Sequence, residues 1–334
     1  MGPAFTAPTP PRLFKRAWWC RGAHSQTIFG GLFRPIPKLN LTRERLETPD
    51  GDFIDVDFLE GPSSNGGGAA PLVVILHGLE GSSRAPCVQS LLGEIQHRGW
   101  GAAAVNMRMC SGEPNRLKQT YHSGKTEDLD FVIHDLTQRR GHQRLYLVGF
   151  SVGGNIVLKW LGEQGARASE KIRKAAAVSV PYDLAKSVEL MDRGFNREIY
   201  TRALLTSLKR KVFEKAERFP EAVRYDQVKR CRTFQAFDQE VTAPLNGFKD
   251  ARDYWSKTSC KEVLGAVRVE TLLIHAEDDP FFPGRLIPFN EIRNSKSLRT
   301  VMVPHGGHLG FVAGRWPWKQ ELWLEKTVMD FFSI

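Results

Sequence analysis

Six short, uninterrupted apolar runs constrain the fold of this chain more than any other feature. They are LVVIL (72–76), GAAAV (101–105), LYLVG (145–149), AAAVSV (175–180), TLLIH (271–275) and TVMV (300–303). A strand with one face in water alternates apolar and polar side chains, whereas a strand apolar at every position is covered on both faces. Between the runs lie CVQSLLGEIQHRG, GKTEDLDFVIHDLTQRR and VGGNIVLKWLGEQ, which are amphipathic at helical spacing. This alternation predicts an α/β fold: a mostly parallel sheet with helices on both faces. Two further strands are expected within 44–60, around the turn Pro49-Asp50-Gly51. The second, Phe53 to Phe58, partly alternates and reads as a half-exposed antiparallel strand. That makes eight strands.

The rhythm breaks once. Between 184 and 256 no buried strand is expected. Leu205, Leu208, Val212, Ala216 and Phe219 instead recur at helical spacing. The expected organisation is an N-terminal arm (1–43), a core (44–183 and 257–334) and a helical cap inserted before the last two strands (184–256). The arm is proline-punctuated, basic and expected to hold little regular structure. The stretch GPSSNGGGAAP (61–71) reads as a flexible connection.

Composition narrows the function. Five cysteines (Cys20, Cys87, Cys110, Cys231, Cys260) are widely spaced with no C-x-x-C. This excludes a disulfide scaffold and a cysteine zinc site, and suggests a reducing compartment. No apolar run reaches the roughly 18 residues that span a bilayer, and no secretory signal is read. A cytoplasmic protein is therefore expected. The net charge of +10 would suit nucleic acid, an anionic membrane surface or an acidic ligand. No basic–aromatic stripe accompanies it, so nucleic acid is not expected. Residues 202–232 carry ten Lys/Arg against four Asp/Glu, a net of +6, and the arm adds more. The excess is expected to draw anionic substrates or a lipid surface to the pocket mouth.

Gly149-Phe150-Ser151-Val152-Gly153 is a G-x-S-x-G motif. Alone it is weak. Here it directly follows an apolar strand and precedes an amphipathic helix, the setting a nucleophile elbow requires. Ser151 is the expected nucleophile, and the Val152 N–H can meet a developing oxyanion. His77-Gly78-Leu79 follows the first buried strand, where the Leu79 N–H would be the second donor; His77 reads as structural.

A serine hydroxyl needs a base, and the base an orienting acid. Chain order Ser, acid, His puts them after the last two apolar runs. Asp279 is preferred to Asp278, with Asp183 as an outside candidate. His308 is preferred to His305, because Gly306-Gly307 supply a tight bend. A metal site at His305-x-x-His308 is not expected, since no third His or Cys stands at a ligand spacing. His122-Ser123 reads as a loop and helix N-cap, Cys110 as no nucleophile, His24 as a structural turn, and Trp18-Trp19 as a core plug.

With these residues in place, the chain resembles the AB hydrolase-4 family of α/β-hydrolases, the bacterial YheT-like proteins and their eukaryotic membrane-anchored relatives. The likeness spans about 18–334. It is carried by Gly22-Ala23-His24-Ser25-Gln26-Thr27, by His77-Gly78-Leu79 with Gly81-Ser82-Ser83, and by Cys110-Ser111-Gly112-Glu113-Pro114-Asn115-Arg116 with Tyr121-His122-Ser123-Gly124. Thr242-Ala243-Pro244-Leu245 with Gly247-Phe248, and Asp278-Asp279-Pro280-Phe281, complete it. The resemblance implies an α/β-hydrolase fold with triad Ser151, Asp279 and His308, and hydrolysis of short acyl esters or acylglycerols without a cofactor. Where the family carries Arg-Gly, this chain has Arg108-Met109, expected to narrow the pocket. Glu80 adds a charge beside the oxyanion loop. Acyl transfer by the same triad, or a silent basic binding module, are the alternative readings.

Overall fold

The structure is a computed structural model describing residues 12–61 and 71–334. Most of the connection read as flexible, 62–70, lies outside the described residues, as do residues 1–11 of the arm.

Each apolar run forms a strand. In chain order the strands are β1 (Thr42–Glu47), β2 (Phe53–Leu59), β3 (Leu72–Leu76), β4 (Gly101–Asn106), β5 (Leu145–Phe150), β6 (Ile172–Val178), β7 (Glu270–Ala276) and β8 (Leu298–Val303). They make one eight-stranded sheet in the order β1-β2-β4-β3-β5-β6-β7-β8. β1 and β2 are antiparallel, as are β2 and β4; the rest pair in parallel.

β3 shows why an apolar run belongs here. Leu72, Val74 and Leu76 point into one core with Leu147, Ile156 and Trp160. Val73 and Ile75 point into the other, with Val148, Leu91 and Val328. Burying each such side chain contributes about 1.5–3 kcal/mol. The covering helices include α2 (Pro86–His97), α3 (Thr126–His134), α4 (Val152–Gln164) and the C-terminal helix Trp323–Ser333.

β2 departs from the expectation of a half-exposed strand. Asp55 and Asp57 are buried, since β2 lies between β1 and β4. β1 supplies their counter-charges: Arg45 grips Asp55 at 2.8 and 2.9 Å, and Arg43 grips Asp57 at 2.7 and 2.8 Å. The alternation of acids therefore marks ion pairs, not a wet face. Asp57 also accepts from Asn106 at 3.0 Å and from the Ser83 hydroxyl, which pins the loop after β3.

The arm also differs. It carries α1 (Ala23–Phe33), with Gln26, Thr27 and Gly30 buried. A two-stranded hairpin, β9 (Ala313–Trp316) with β10 (Lys319–Glu321), follows β8 and has no apolar run to announce it.

Between β6 and β7 the chain is helical, with longer helices at Leu184–Met191, Arg202–Arg218 and Ala251–Thr258. Leu205 and Val212 of the long helix are buried with Met191, Phe234 and Phe237, together with Phe281 and Phe282 from the loop after β7. Lys215 from the same helix is fully buried and donates to the Asn115 carbonyl at 2.7 Å. Burial pushes its ammonium down to about 8. These contacts fasten the insertion over the strand ends. Among the described residues, no helix is long and apolar enough to cross a membrane.

Candidate active site

β5 ends at Phe150 and α4 begins at Val152, so Ser151 alone makes the turn. It does so in the left-handed region, at φ 53°, and its N–H donates to the Val178 carbonyl at 2.8 Å. A non-glycine residue here stores about 1–3 kcal/mol of strain, which the surrounding packing must hold. Gly153 shows how tight that packing is. A Cβ there would sit 2.5 Å from the Leu76 and His77 carbonyl oxygens. The first turn of α4 thus presses against the end of β3, and only glycine permits it. On the other side Gly78 passes so close that a Cβ on it would lie 3.2 Å from the Ser151 Cβ.

This contact brings the Gly78–Leu79 segment beside Ser151, and Leu79, Ser151 and Val152 line one cavity. Val152 is the first residue of α4, so its N–H has no helical acceptor. Among the described residues the Leu79 N–H has no hydrogen-bond acceptor either. His77 does not face the serine chemistry. Its Nε2 accepts from the Met107 N–H at 3.1 Å, and its Nδ1 contacts the Gly78 carbonyl at 2.7 Å. Burial pushes it down to about 4, so it is a neutral brace for the loop.

The loop after β8 brings His308 over Ser151. His308 Nε2 lies 3.1 Å from Ser151 Oγ, and His308 Nδ1 lies 2.9 Å from Asp279 Oδ2. The other Asp279 oxygen accepts from the Phe281 and Phe282 N–H groups at 2.8 and 3.1 Å. Burial alone would raise the Asp279 carboxyl. The charge and hydrogen bond of His308, with help from His275 and the Phe282 N–H, outweigh it and hold Asp279 below the usual carboxylate range. Phe281 stacks on the His308 ring at 4.2 Å, and Phe282 meets it edge-on at 5.1 Å.

The competing residues stand apart. Asp278 bonds His305 Nδ1 at 3.2 Å and the Gly307 N–H at 2.9 Å, forming a second pair that shapes the bend. Asp183 caps the helix Leu184–Met191 through the Lys186 N–H. Cys110 is buried, and burial pushes its thiol up to about 11, far from a thiolate nucleophile.

Sequence reasoning missed what holds His308. Thr27 Oγ1, on α1, accepts the His308 N–H at 2.9 Å. Gln26 brackets Val312 with bonds of 2.6 and 3.1 Å, and Arg34 donates to the Leu309 and Gly310 carbonyls at 2.5 Å. Arg34 is itself paired with buried Glu325. The signal was present in Gly22-x-His24-x-Gln26-Thr27, but its partners lie almost 300 residues away. His24 bonds the Tyr200 hydroxyl at 2.9 Å and ties α1 to the helical insertion.

Three expectations are corrected. Ser123 is not a helix N-cap. α3 begins at Thr126, and the Ser123 hydroxyl instead accepts from Tyr254 at 2.9 Å. Met109 does not line the pocket. It sits at φ 68°, where glycine is the easier residue, and its sulfur accepts from the Asn115 N–H at 3.3 Å. The two tryptophans do not share one role. Trp19 packs on Phe29 at 4.8 Å, whereas Trp18 is 60% exposed.

Glu80 turns from Ser151 to the insertion. Its carboxylate accepts from Lys211 and from Tyr121, each at 2.8 Å. Both bonds go to Oε1; Oε2 has no hydrogen-bond partner among the described residues, and the side chain is almost fully buried. Lys211→Met would leave that carboxylate buried and uncompensated. A loss of about 3–5 kcal/mol is expected in urea unfolding, with partial recovery in the double variant carrying Glu80→Gln.

Ser151 and His308 open into a cavity of about 220 Å³, lined chiefly by apolar groups such as Leu204, Leu208, Phe234, Phe237 and Phe281. Asp238 also lines it, bonded to Trp255 Nε1 at 2.8 Å and Thr242 Oγ1 at 2.7 Å, with burial pushing its carboxyl up to about 6.

The sequence profile of the α/β-hydrolase fold matches residues 71–314. The YheT protein of Escherichia coli (strain K12) is 36% identical over 312 residues, covering 93% of this chain and 90% of that protein. This chain belongs to the AB hydrolase-4 family of α/β-hydrolases. Within the family, similarity extends to the mouse phospholipase ABHD3 (27% identical, 94% of this chain and 76% of that protein). It also extends to the monoacylglycerol lipase of Saccharomyces cerevisiae (strain ATCC 204508 / S288c), 30% identical over 82% of this chain and 61% of that protein. Among solved structures, the esterase EaEST from Exiguobacterium antarcticum has a TM-score of 0.54 at 17% identity, covering 88% of this chain and 100% of that one. Est1E from Butyrivibrio proteoclasticus has a TM-score of 0.56 at 14% identity, over 87% and 98%. Such distant likenesses speak to the fold.

Proposed function

We propose that this α/β-hydrolase is a serine carboxylic ester hydrolase acting through an acyl-enzyme. The observation that carries the reading is the hydrogen-bonded series Ser151–His308–Asp279, set at the wall of an apolar cavity. The names of the yeast lipase and the mouse phospholipase relatives support ester chemistry. Ser151 Oγ attacks the ester carbonyl while His308 Nε2 takes its proton. Asp279 keeps the remaining imidazole proton on Nδ1 and stabilises the cation that forms. The Leu79 and Val152 N–H groups receive the oxyanion, a contribution of about 3–4 kcal/mol per donor in comparable sites. His308 then returns the proton to the leaving alkoxide. Water, deprotonated by His308, releases the acid and regenerates Ser151. The apolar wall suits an acyl chain or an uncharged alcohol portion, and charged groups would lose hydration there.

A fluorophosphonate probe tests the reading, because it phosphonylates only a serine activated in this way. We expect one adduct, mapped by peptide mass spectrometry to Ser151 and blocked by prior incubation with an ester substrate. An unlabelled protein, or an adduct on another serine, would overturn the proposal.

A further inference from the structure

Large apolar side chains left in water are usually scattered singly, and a gathered set marks an interaction surface. Here they gather. Leu13, Trp18, Leu32, Phe33, Ile36 and Trp318 are each 57–92% exposed, and all lie on the arm or on the β9–β10 hairpin. The two segments form one surface. The Ala17 N–H donates to the Val312 carbonyl at 2.9 Å, Trp18 Nε1 to the Arg315 carbonyl at 3.0 Å, and Gln320 Nε2 to the Phe33 carbonyl at 2.6 Å. At the hairpin, Trp316 stacks on Trp318 at 5.5 Å.

α1 has its polarity turned outward. Its buried positions hold Gln26 and Thr27, which serve the His308 loop, while Ile28, Leu32 and Phe33 face solvent. Burial in the fold does not explain that pattern, whereas an apolar medium outside it does. The charges on this face are mostly basic, with Glu321 at the end of β10 an exposed carboxylate among them. Lys15, Arg21, Lys38, Arg315 and Lys319 are exposed, and the sequence has no Asp or Glu from Arg12 to Arg43 or from Ala313 to Gln320.

We infer that the arm-and-hairpin face docks this protein on an anionic lipid bilayer. Tryptophan prefers the headgroup level, where its ring meets acyl chains and its polar edge meets water. Lysine and arginine around it are attracted to anionic headgroups. A second copy of the chain suits this face less well, because self-pairing would oppose mainly like charges, with Glu321 the exposed carboxylate on the hairpin. The inner side of α1 holds His308, so the bilayer lies about one helix diameter, roughly 10 Å, from the histidine loop.

Co-sedimentation of the full chain with phosphatidylcholine vesicles, with and without phosphatidylglycerol, tests this. The protein is expected to sediment with the anionic vesicles, and added salt to weaken it. The double variant Leu32→Ser/Trp318→Ser is expected to lower the partition coefficient about tenfold or more. Lys15→Glu/Lys319→Glu is expected to do the same and to remove most of the salt dependence. Both should keep the wild-type melting temperature and the wild-type turnover of a water-soluble ester, so that lost binding is not lost folding. The inference fails if the wild type stays in the supernatant, if either variant binds as the wild type does, or if phosphatidylglycerol makes no difference. It fails equally if the Leu32→Ser/Trp318→Ser change converts a dimer to a monomer in size-exclusion chromatography, which would assign the face to a second copy.

Discussion

Replacing Ser151 by alanine is expected to lower kcat for a p-nitrophenyl ester by about 10⁴- to 10⁶-fold, with little change in KM. The reason is local. Ser151 Oγ is the atom within 3.1 Å of His308 Nε2, and neither Ser123 nor Cys110 has such a partner. The cavity wall is otherwise left intact, so ground-state binding survives. A companion variant separates chemistry from folding. At φ 53° the serine is held in a region that costs an L-residue about 1–2 kcal/mol, a cost glycine does not carry. Ser151→Gly is therefore expected to be as inactive as Ser151→Ala yet about 1 kcal/mol more stable than it. Turnover by either variant at more than about a hundredth of the wild-type rate would remove Ser151 from the chemistry.

Asp279→Asn is expected to lower kcat by about 10⁴-fold while keeping the site's shape. The Phe281 and Phe282 N–H groups require an acceptor, so they fix the amide oxygen on their side. The amide NH₂ must then face His308 Nδ1. A donor there forces Nδ1 to become an acceptor, and the imidazole proton moves to Nε2, beside Ser151. The base now holds its proton where it should receive one. Acid stability gives a second readout. Asp279 lies below the usual carboxylate range in the folded chain, so its favourable contribution is present above the unfolded-state value and is lost as pH falls through the folded one. From about pH 4 downward the wild type should lose melting temperature more steeply than Asp279→Asn. Equal slopes would mean that the His308–Asp279 pair contributes nothing to the folded state. An activity loss below tenfold would mean that Asp279 does not set the tautomer.

The sheet was legible because a strand covered on both faces has no polar position to confuse the reading. β3, with Leu72 to Leu76 all buried, is the clear case. The elbow was legible because Gly149, Ser151 and Gly153 satisfy a local steric demand within a few residues. β2 misled for the opposite reason: Asp55 and Asp57 look solvated until Arg43 and Arg45 are seen beside them. Pairing across strands leaves no mark in a single strand's periodicity. The choice between Asp278 and Asp279 rested on one residue of register. The structure gives each its own histidine, which adjacent letters could not show. α1 was missed because its apolar side faces outward, so the usual link between apolar stripe and buried face is reversed. Thr27 and Arg34 were missed because hydrogen bonds to a distant loop have no spacing rule.

Thr27 and His308 are separated by 281 residues, and Arg34 and Glu325 by 291. Contacts of that span close nearly the whole chain into a ring, and the entropy of closure is met only once the strands between are in place. The segment synthesised early therefore finds its seat only after the final strand exists. During refolding, the elbow at Ser151 needs only β3, β5 and β6, whereas the loop of His308 waits for α1. On the proposed reading, turnover would thus report that α1 and the loop after β8 have met. A chain frayed at the arm keeps its eight-stranded sheet but leaves the loop of His308 without Thr27 and Arg34.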